Sequence, residues 1–172
     1  MTLGALVLAG CGAELKLGES VGLSPITGET KVALTANRAC DTADCKVTFN
    51  RAVVMATRQE LAGLDGAVKA IELELKELSF TDSDKGERIE GQRMPAGTVT
   101  IGEELVIGVE HLSKLPITLR LEGRALDEVK AQIAAGENAT LMIRAEITIA
   151  APMPRNMIVR YDVQPTLVIG AR

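Results

Sequence analysis

Aromatic side chains are nearly missing from this sequence. Its 172 residues include no Trp and only three other aromatic residues, Phe49, Phe80 and Tyr161. Sugar rings and unpaired bases usually bind by stacking on flat aromatic faces. The sequence therefore argues against a carbohydrate partner and against a single-stranded nucleic acid.

A concentrated positive charge is also missing. The 19 basic and 23 acidic residues give a net charge of -4, and they are spread along the chain without a block of either sign. Binding to duplex nucleic acid normally needs a cluster of Lys and Arg that displaces counterions from the phosphates. We therefore expect no nucleic-acid partner.

Motifs of catalysis and cofactor binding are missing as well. A serine hydrolase needs a nucleophile, a base and an orienting acid, but the chain has one histidine, His111, and no Gly-x-Ser-x-Gly segment. Neither of the glycine-rich loops that hold phosphates is present. We expect His111 to be a surface residue. The sequence predicts no catalytic residues, no cofactor and no dedicated metal centre, and hence a protein that is not an enzyme.

Alternation of apolar and polar residues dominates the chain from Lys31 onward. A period of two is typical of strands with one face on a core. The clearest example is the segment 141–149. In another segment, 71–80, the alternation changes phase near Glu77, which predicts a β-bulge. Pro165 belongs at an edge or a bulge because it has no N–H to donate. The predicted strands are 32–36, 46–55, 71–80, 98–101, 105–109, 117–121, 141–149 and 157–163, with 166–169 as a terminal extension.

One α-helix is predicted at residues 125–135. Leu126, Val129 and Ile133 share one face of this segment, and acidic residues occupy its first turn. Gly136 supplies a C-terminal stop. We expect about three turns of helix with this apolar face on the core.

A shorter helix is predicted at residues 57–62, because Thr57 and Glu60 have the spacing of a capping box. Eight or nine strands and one longer helix then make up the chain. This content predicts a mainly β fold, an antiparallel two-sheet sandwich of immunoglobulin-like outline.

The chain opens with an apolar stretch that ends in small residues before a cysteine. Its ten residues are too few to span a membrane, which takes about 20, and they are typical of the hydrophobic part of a secretory signal. Leu8, Ala9, Gly10 and Cys11 resemble the lipobox of bacterial lipoproteins. This resemblance implies cleavage before Cys11 and attachment of lipid to its sulfur. The alternative is a buried first strand of a cytosolic protein, with Cys11 in the core.

The lipoprotein resemblance divides the chain into three parts. Residues 1–10 are the remnant of a signal peptide, residues 11–30 are the lipidated cysteine and a flexible, glycine-rich tether, and residues 31–172 are the sandwich domain. The resemblance implies a protein of the bacterial cell envelope, held on a membrane by two or three lipid chains, since one chain holds only weakly. Gly12 stands where some lipoproteins retained at the inner membrane have Asp, which favours the outer membrane.

Two cysteines remain once Cys11 is assigned to lipid. Cys40 and Cys45 form an even pair of thiols, which in an exported protein predicts a disulfide. Closing so small a loop stabilises the fold by about 2 kcal/mol on the chain-entropy account. A metal site that adds Asp41 or Asp44 is the alternative, although zinc sites generally contain a second Cys or His pair. In a reducing cytosol, two free thiols would be the plainer interpretation.

The segment that starts at Asp82 begins like a calcium-binding loop. Asp82 and Asp84 stand at its first and third positions, but Gly86 and Glu87 occupy the places of an oxygen ligand and of the turning glycine. A polar hairpin loop explains the segment better. Weak calcium binding by Asp82 and Asp84 is the alternative, since extracellular modules tolerate loose sites.

The order of elements after Asp65 carries a second resemblance. In residues 65–172 a helix precedes a long strand near the end, and this layout is similar to the β-sandwich of late-embryogenesis-abundant type 2 proteins, which is also found in bacterial envelope proteins. The likeness includes no diagnostic motif and implies nothing about activity.

Three functions are consistent with these features. The leading hypothesis is a non-enzymatic envelope lipoprotein that binds or scaffolds at the membrane surface, with an envelope protein or a second copy of itself as partner. The first alternative is a carrier of an apolar ligand or lipid, held near Leu126, Val129 and Ile133, although core packing explains the same residues. The second alternative is a subunit that assembles by β-strand exchange.

Overall fold

Two antiparallel β-sheets form the described part of the protein. The computed structural model describes residues 20–34, 38–64 and 68–170. Within these residues lie nine strands and one α-helix, α1 (Gly123–Ala134). The strands are β1 (Ser20–Gly22), β2 (Ile26–Ala33), β3 (Cys45–Ala56), β4 (Val68–Asp82), β5 (Ala96–Ile101), β6 (Leu105–Gly108), β7 (Ile117–Leu121), β8 (Ala139–Ile149) and β9 (Asn156–Ile169).

Strand β9 lies at the centre of the first sheet, sheet A. It pairs with β4 along one side and with both β1 and β2 along the other, and β4 pairs in turn with β7. The second sheet, sheet B, has the strand order β3-β8-β5-β6. All of these pairings are antiparallel. The predicted antiparallel two-sheet sandwich is therefore confirmed.

Alternate side chains of each strand meet between the two sheets. In β8, Ala145, Ile147 and Ile149 are buried, whereas Arg144 and Glu146 point outward and are exposed. The inward residues of both sheets join a single apolar cluster. The period-two pattern of the sequence is thus the pattern of burial, as expected for strands with one face on a core.

The bulge predicted near Glu77 is present in β4. The register of β4 against β9 shifts between Leu75 and Glu77. Beyond the shift, Leu78 and Phe80 are buried and continue the inward face. The extra residue keeps the apolar side chains on the core side of the sheet.

The domain begins earlier than the sequence analysis placed it. Residues 20–30, assigned above to the tether, form β1 and much of β2 and pair with β9. Gly28 interrupts the apolar pattern at an inward position of β2. The ring of Tyr161 occupies the space that a side chain at Gly28 would need. The tether assignment is therefore wrong for residues 20–30; the rest of the proposed tether lies outside the described residues.

Strand β2 also corrects the first predicted strand. The sequence analysis placed it at residues 32–36, whereas the structure has it at Ile26–Ala33. Its inward positions include Gly28 and Thr30, which are not apolar. The apolar pattern used for the prediction therefore identified only the end of the strand.

Pro165 lies inside β9 and does not end it. The strand continues to Ile169. Leu23 donates its N–H to the carbonyl of Pro165 at 3.0 Å, but Pro165 has no N–H to return. The side-chain amide of Gln164 donates instead to the carbonyl of Leu23, at 2.6 Å. Pro165 therefore lies in the central strand and not at an edge of the sheet, and the irregularity is the break between β1 and β2 opposite the proline.

Helix α1 starts two residues earlier than predicted. Its Leu126 and Val129 are buried, and Ile133 packs against the edge of the core. The carboxylate of Glu104, in the β5–β6 turn, accepts the backbone N–H of Arg124 at 3.0 Å. A negative group at this end of a helix is favourable, because the first amides have no partner within the helix.

Candidate functional site

The disulfide predicted from the cysteine count is present. The sulfur atoms of Cys40 and Cys45 lie 2.01 Å apart. The bridge closes part of the connection from β2 to β3, which joins sheet A to sheet B. The carbonyl of Cys40 accepts the N–H of Met153 at 3.1 Å, so the loop also contacts the β8–β9 connection. Cys11 lies outside the described residues, and its lipidation stays a prediction.

Asp82 is the last residue of β4 and is buried, whereas Asp84 lies in the turn that follows and is exposed. The Oδ1 atom of Asp82 accepts the backbone N–H groups of Asp84 and Lys85, at 3.0 and 3.2 Å. An Arg93 nitrogen lies 3.7 Å from its Oδ2 atom. These contacts are typical of a carboxylate that stabilises a turn. Calcium binding by the two aspartates stays a prediction.

In the part of the chain that the structure describes, no set of three or more His, Cys, Asp or Glu residues is arranged to hold a metal ion. His111 is half exposed, and its Nδ1 atom lies 3.2 Å from Oε1 of Glu110. This is the surface position expected of an isolated histidine.

The three residues proposed as apolar ligand contacts are part of the core or of its edge. Leu126 and Val129 are 5% and 0% exposed. Two voids between the sheets share Val53 and Ile143, and each has a volume of about 20 Å³. Such a volume holds about one water molecule. Binding of a lipid chain in either void would require the sheets to separate.

A larger cleft opens at the edge of sheet A. Strand β4 pairs with β7 only as far as Leu75, and the next bridge on that side joins Thr81 to Arg88. Residues 76–79 therefore border a gap between these pairings. The cleft at this edge has a volume of about 300 Å³, and its lining combines apolar side chains such as Phe80 with exposed charged ones.

The outer face of sheet B is the candidate functional site. It consists of the outward side chains of β3, β8, β5 and β6, and we call it the B face. Most of its residues are small, uncharged or β-branched. They are Lys46, Thr48, Asn50, Ala52, Val54, Ala96, Thr98, Thr100, Val106, Thr140, Met142, Arg144, Glu146 and Thr148.

Exposed aliphatic side chains distinguish the B face. Val54, Val106 and Met142 are 48%, 61% and 46% exposed, and they are the exposed large hydrophobic residues of the described chain. All three belong to the B face. A shallow depression of about 520 Å³ on this face is lined by Val106 and Met142 together with Asn50, Thr98, Thr100 and the charged residues Glu103, Arg144 and Glu146. Single exposed aliphatic residues are normal, but three of them on one sheet face make that face the leading candidate for an interaction surface.

Few charges interrupt the B face. Arg144 donates a hydrogen bond to Glu146, two residues along the central strand β8. Both side chains are about half exposed. Lys46 is the other charged member of the face, at the start of β3. The charged pair therefore lies in a surface that is otherwise almost neutral.

The outer face of sheet A, which we call the A face, carries far more charge. Arg160 of β9 donates to Glu29 of β2 at 2.7 Å, and this hydrogen bond raises the pKa of the Arg160 guanidinium. Arg120 of β7 lies 3.0 Å from Glu72 of β4. These pairs are half exposed to solvent. The A face is thus a solvated, ion-paired surface.

Glu60 joins the end of β3 in sheet B to the β1–β2 junction in sheet A. Its carboxylate accepts the hydroxyl and N–H of Ser24 at 2.6 and 3.2 Å, and the N–H and hydroxyl of Thr57 at 2.8 and 2.9 Å. These hydrogen bonds, that of the Ser24 hydroxyl above all, lower the pKa of Glu60 to about 2. The predicted capping contact is present, but residues 57–62 form a turn and not a helix.

Sequence reasoning missed the B face as a site. Alternation within residues 141–149 puts Met142, Arg144 and Glu146 on the outer side of their strand, but the pattern does not separate Val54 and Val106 from their core-facing neighbours. The signal in the sequence is an aliphatic residue at a position where the alternation of the strand calls for a polar one. That signal gains weight only when several such residues come together on one sheet.

Comparison with known proteins assigns no family to this chain, since no protein-family model, curated protein or solved structure matches it. Within the described residues, no helix is both long and apolar enough to cross a bilayer.

Proposed function

We propose that this protein is a non-enzymatic lipoprotein of the bacterial envelope that binds or scaffolds other proteins through the B face. One observation carries the proposal: the exposed large hydrophobic residues of the described chain, Val54, Val106 and Met142, all lie on that face. Apolar patches rimmed by polar residues are characteristic of protein interaction sites.

The anchoring part of the proposal rests on the sequence Leu8 to Cys11, which resembles a lipobox. The Cys40–Cys45 disulfide agrees with it, because disulfides persist in oxidising compartments outside the cytosol. The domain begins by Ser20, so residues 12–19 would separate it from the lipid. A segment of eight residues reaches at most about 28 Å, and the domain would therefore stay close to the membrane surface.

Lipidation is tested with Cys11→Ala and with globomycin treatment of the native cells. We expect the protein to leave the membrane fraction and to lose the mass of its acyl chains. The matched control is the double variant Cys40→Ser with Cys45→Ser, which removes two other sulfurs and should remain in the membrane. Unchanged fractionation and mass after Cys11→Ala would refute the lipid anchor.

The use of the B face is tested separately by photo-crosslinking in cells. A photoreactive amino acid replaces Thr98 on the B face or, as the control, Thr118 on the outer side of β7 in sheet A. Both threonines are exposed on their strands. We expect protein adducts from position 98 and few from position 118. Equal crosslinking from both positions would refute a specific role of the B face.

A further inference from the structure

We infer that the partner of the B face is a second copy of this chain, packed face to face about a twofold axis. The inference rests on the proposed use of the B face and adds the identity of the partner. A twofold interface requires a surface that is complementary to itself. The positions of charged and neutral residues on the B face meet that requirement.

Arg144 and Glu146 provide the charge complementarity. They lie on either side of Ala145, whose side chain is fully buried on the opposite face of β8. We place the twofold axis between the B faces of the two copies. It runs perpendicular to β8 and passes Ala145. The two β8 strands then run antiparallel, and Arg144 of each copy lies opposite the partner's Glu146. The pair within each chain is exchanged for two pairs between chains.

Neighbouring residues on the B face fit the same axis. Asn50 and Thr100 lie beside Arg144 in the sheet, and Thr48 and Thr98 lie beside Glu146. The axis places the first two opposite the partner's Thr48 and the partner's Thr98. These residues are uncharged and carry hydrogen-bonding groups, so no like charges meet beside the exchanged pairs.

The shape of a twisted sheet allows this packing. Such a sheet is saddle-shaped, concave along one diagonal and convex along the other, and two of them pack well when their mean strand directions lie within about 30° of each other. The B face carries a shallow depression, lined in part by Thr100 and Met142. The convex diagonal of the second copy would occupy it.

The size of the B face predicts a weak dimer. Its longest strands, β3 and β8, have 12 and 11 residues, whereas β5 and β6 have 6 and 4. With strands about 4.8 Å apart and about 3.4 Å per residue, the face covers about 500 Å². A standard interface buries about 800 Å² per partner. Lipid anchoring of both copies in one membrane would compensate by raising their local concentration.

The edges of sheet B are less suited to association than its face. Strand β6 has only four residues. On the other edge, Arg51 of β3 occupies an inward position and donates to the hydroxyl of Thr30 in β2. Short edge strands and inward-pointing charges both hinder edge-to-edge pairing. The terminal residues 166–168 pair with strands on both sides, so their exchange would disrupt the centre of sheet A.

An anionic lipid surface fits the B face less well than a second copy. Such surfaces attract clusters of Lys and Arg. The B face has two basic residues, Lys46 and Arg144, and Arg144 is paired with Glu146. Its neutral threonines and aliphatic residues match another neutral sheet better.

The test is a charge-reversal experiment on the purified full chain in mild detergent, followed by sedimentation velocity. R144E places two acidic groups at the exchanged positions, and E146R places two basic groups there. We expect each variant alone to dimerise about tenfold more weakly than the native chain, because like charges meet across the interface. An equimolar mixture of the two variants should recover dimers, since opposite charges then meet.

The matched controls are R160E and E29R, which reverse the corresponding ion pair on the A face. They should leave dimerisation unchanged, alone and mixed. Val106→Lys should weaken the dimer about tenfold, because it places an unpaired charge within the buried interface, whereas Thr118→Lys on the A face should not. Circular dichroism establishes that each variant remains folded.

Three results would overturn the inference. If the native chain stays monomeric up to about 0.5 mM, it does not form even the weak dimer that the inference requires. Failure of the R144E and E146R mixture to recover dimers would show that the two residues do not pair between copies. Photo-crosslinks from position 98 that join the chain to a different protein and never to itself would end the dimer while leaving the proposed function intact.

Discussion

The A face and the B face are built in the same way and meet solvent differently. Both consist of the outward residues of antiparallel strands over one shared core. The A face carries ion pairs between strands, such as Glu29 with Arg160, whereas the B face exposes threonines and three aliphatic side chains. Alternation decides which residues point outward; the chemistry of those residues decides whether a face is solvated or makes contacts.

The largest effect on the free energy of unfolding is expected in β6, where a core residue and a residue of the B face are neighbours in the sequence. Ile107 is 4% exposed, whereas its neighbour Val106 is 61% exposed. Ile107→Ala should lower the free energy of unfolding by about 3 kcal/mol, because it leaves a cavity in the core. Val106→Ala should change it by less than about 0.5 kcal/mol. Urea unfolding at low protein concentration measures both, and similar losses would contradict the assigned orientation of β6.

The next effect concerns the disulfide in the connection between β2 and β3. The double variant Cys40→Ser with Cys45→Ser should lower the free energy of unfolding by about 2 kcal/mol, since the unfolded chain gains freedom. Reduction of the native protein should produce the same loss. Both are measured by urea unfolding with and without a reductant. A native protein that is insensitive to reduction would contradict a stabilising disulfide.

A smaller effect is expected from the hydrogen-bonded link between the sheets. Glu60→Ala removes the acceptor shared by Ser24 and Thr57 and should lower the free energy of unfolding by about 1 kcal/mol at neutral pH. Glu90→Ala, at an exposed carboxylate, is the control and should have little effect. Chemical unfolding of the three proteins measures the difference.

The contribution of Glu60 should depend on pH in a defined direction. Its pKa is lowered from 4.5 to about 2 in the folded protein, so folding favours the charged form. The stabilisation should be complete above pH 4.5 and should disappear as the pH falls through about 2. The native protein and Glu60→Ala should therefore converge in stability at low pH. A difference that grows on acidification would contradict this assignment.

The smallest effect on stability is expected on the A face. Arg160→Ala and Glu29→Ala remove an exposed ion pair, which solvent and salt screen strongly. Neither should measurably change thermal unfolding, and added salt should not separate them from the native protein. Arg144→Ala on the B face should likewise preserve folding but weaken self-association. Equal effects of Arg160→Ala and Arg144→Ala on association would remove the distinction between the faces.

Strands with an apolar side chain at nearly every inward position were predicted well. The segment 117–121 coincides with β7, and 46–55 differs from β3 by one residue at each end. The prediction failed at β2. There the ring of Tyr161, 133 residues later in the chain, fills the space that a side chain at Gly28 would occupy. A local pattern does not include a side chain supplied from another strand.

The candidate site was less predictable than the fold. Val54 and Val106 are aliphatic and lie next to core residues in the sequence, so their type alone suggests burial. Their exposure follows from the phase of each strand. Their common location follows from the order β3-β8-β5-β6, which joins strands far apart in the chain. Long-range pairing therefore created the B face from residues that are unremarkable one by one.

By itself the sequence determined the fold class, the phase of most strands, the bulge near Glu77 and the pairing of the last two cysteines. These features depend on local alternation, residue type and number, which can be read along the chain. Only the tertiary structure decided that Ser24 lies within reach of Glu60, that Gln164 replaces the missing N–H of Pro165, and that the exposed aliphatic residues share one face. These contacts depend on which strands become neighbours, and the free energy that selects the neighbours comes from burying the whole core at once.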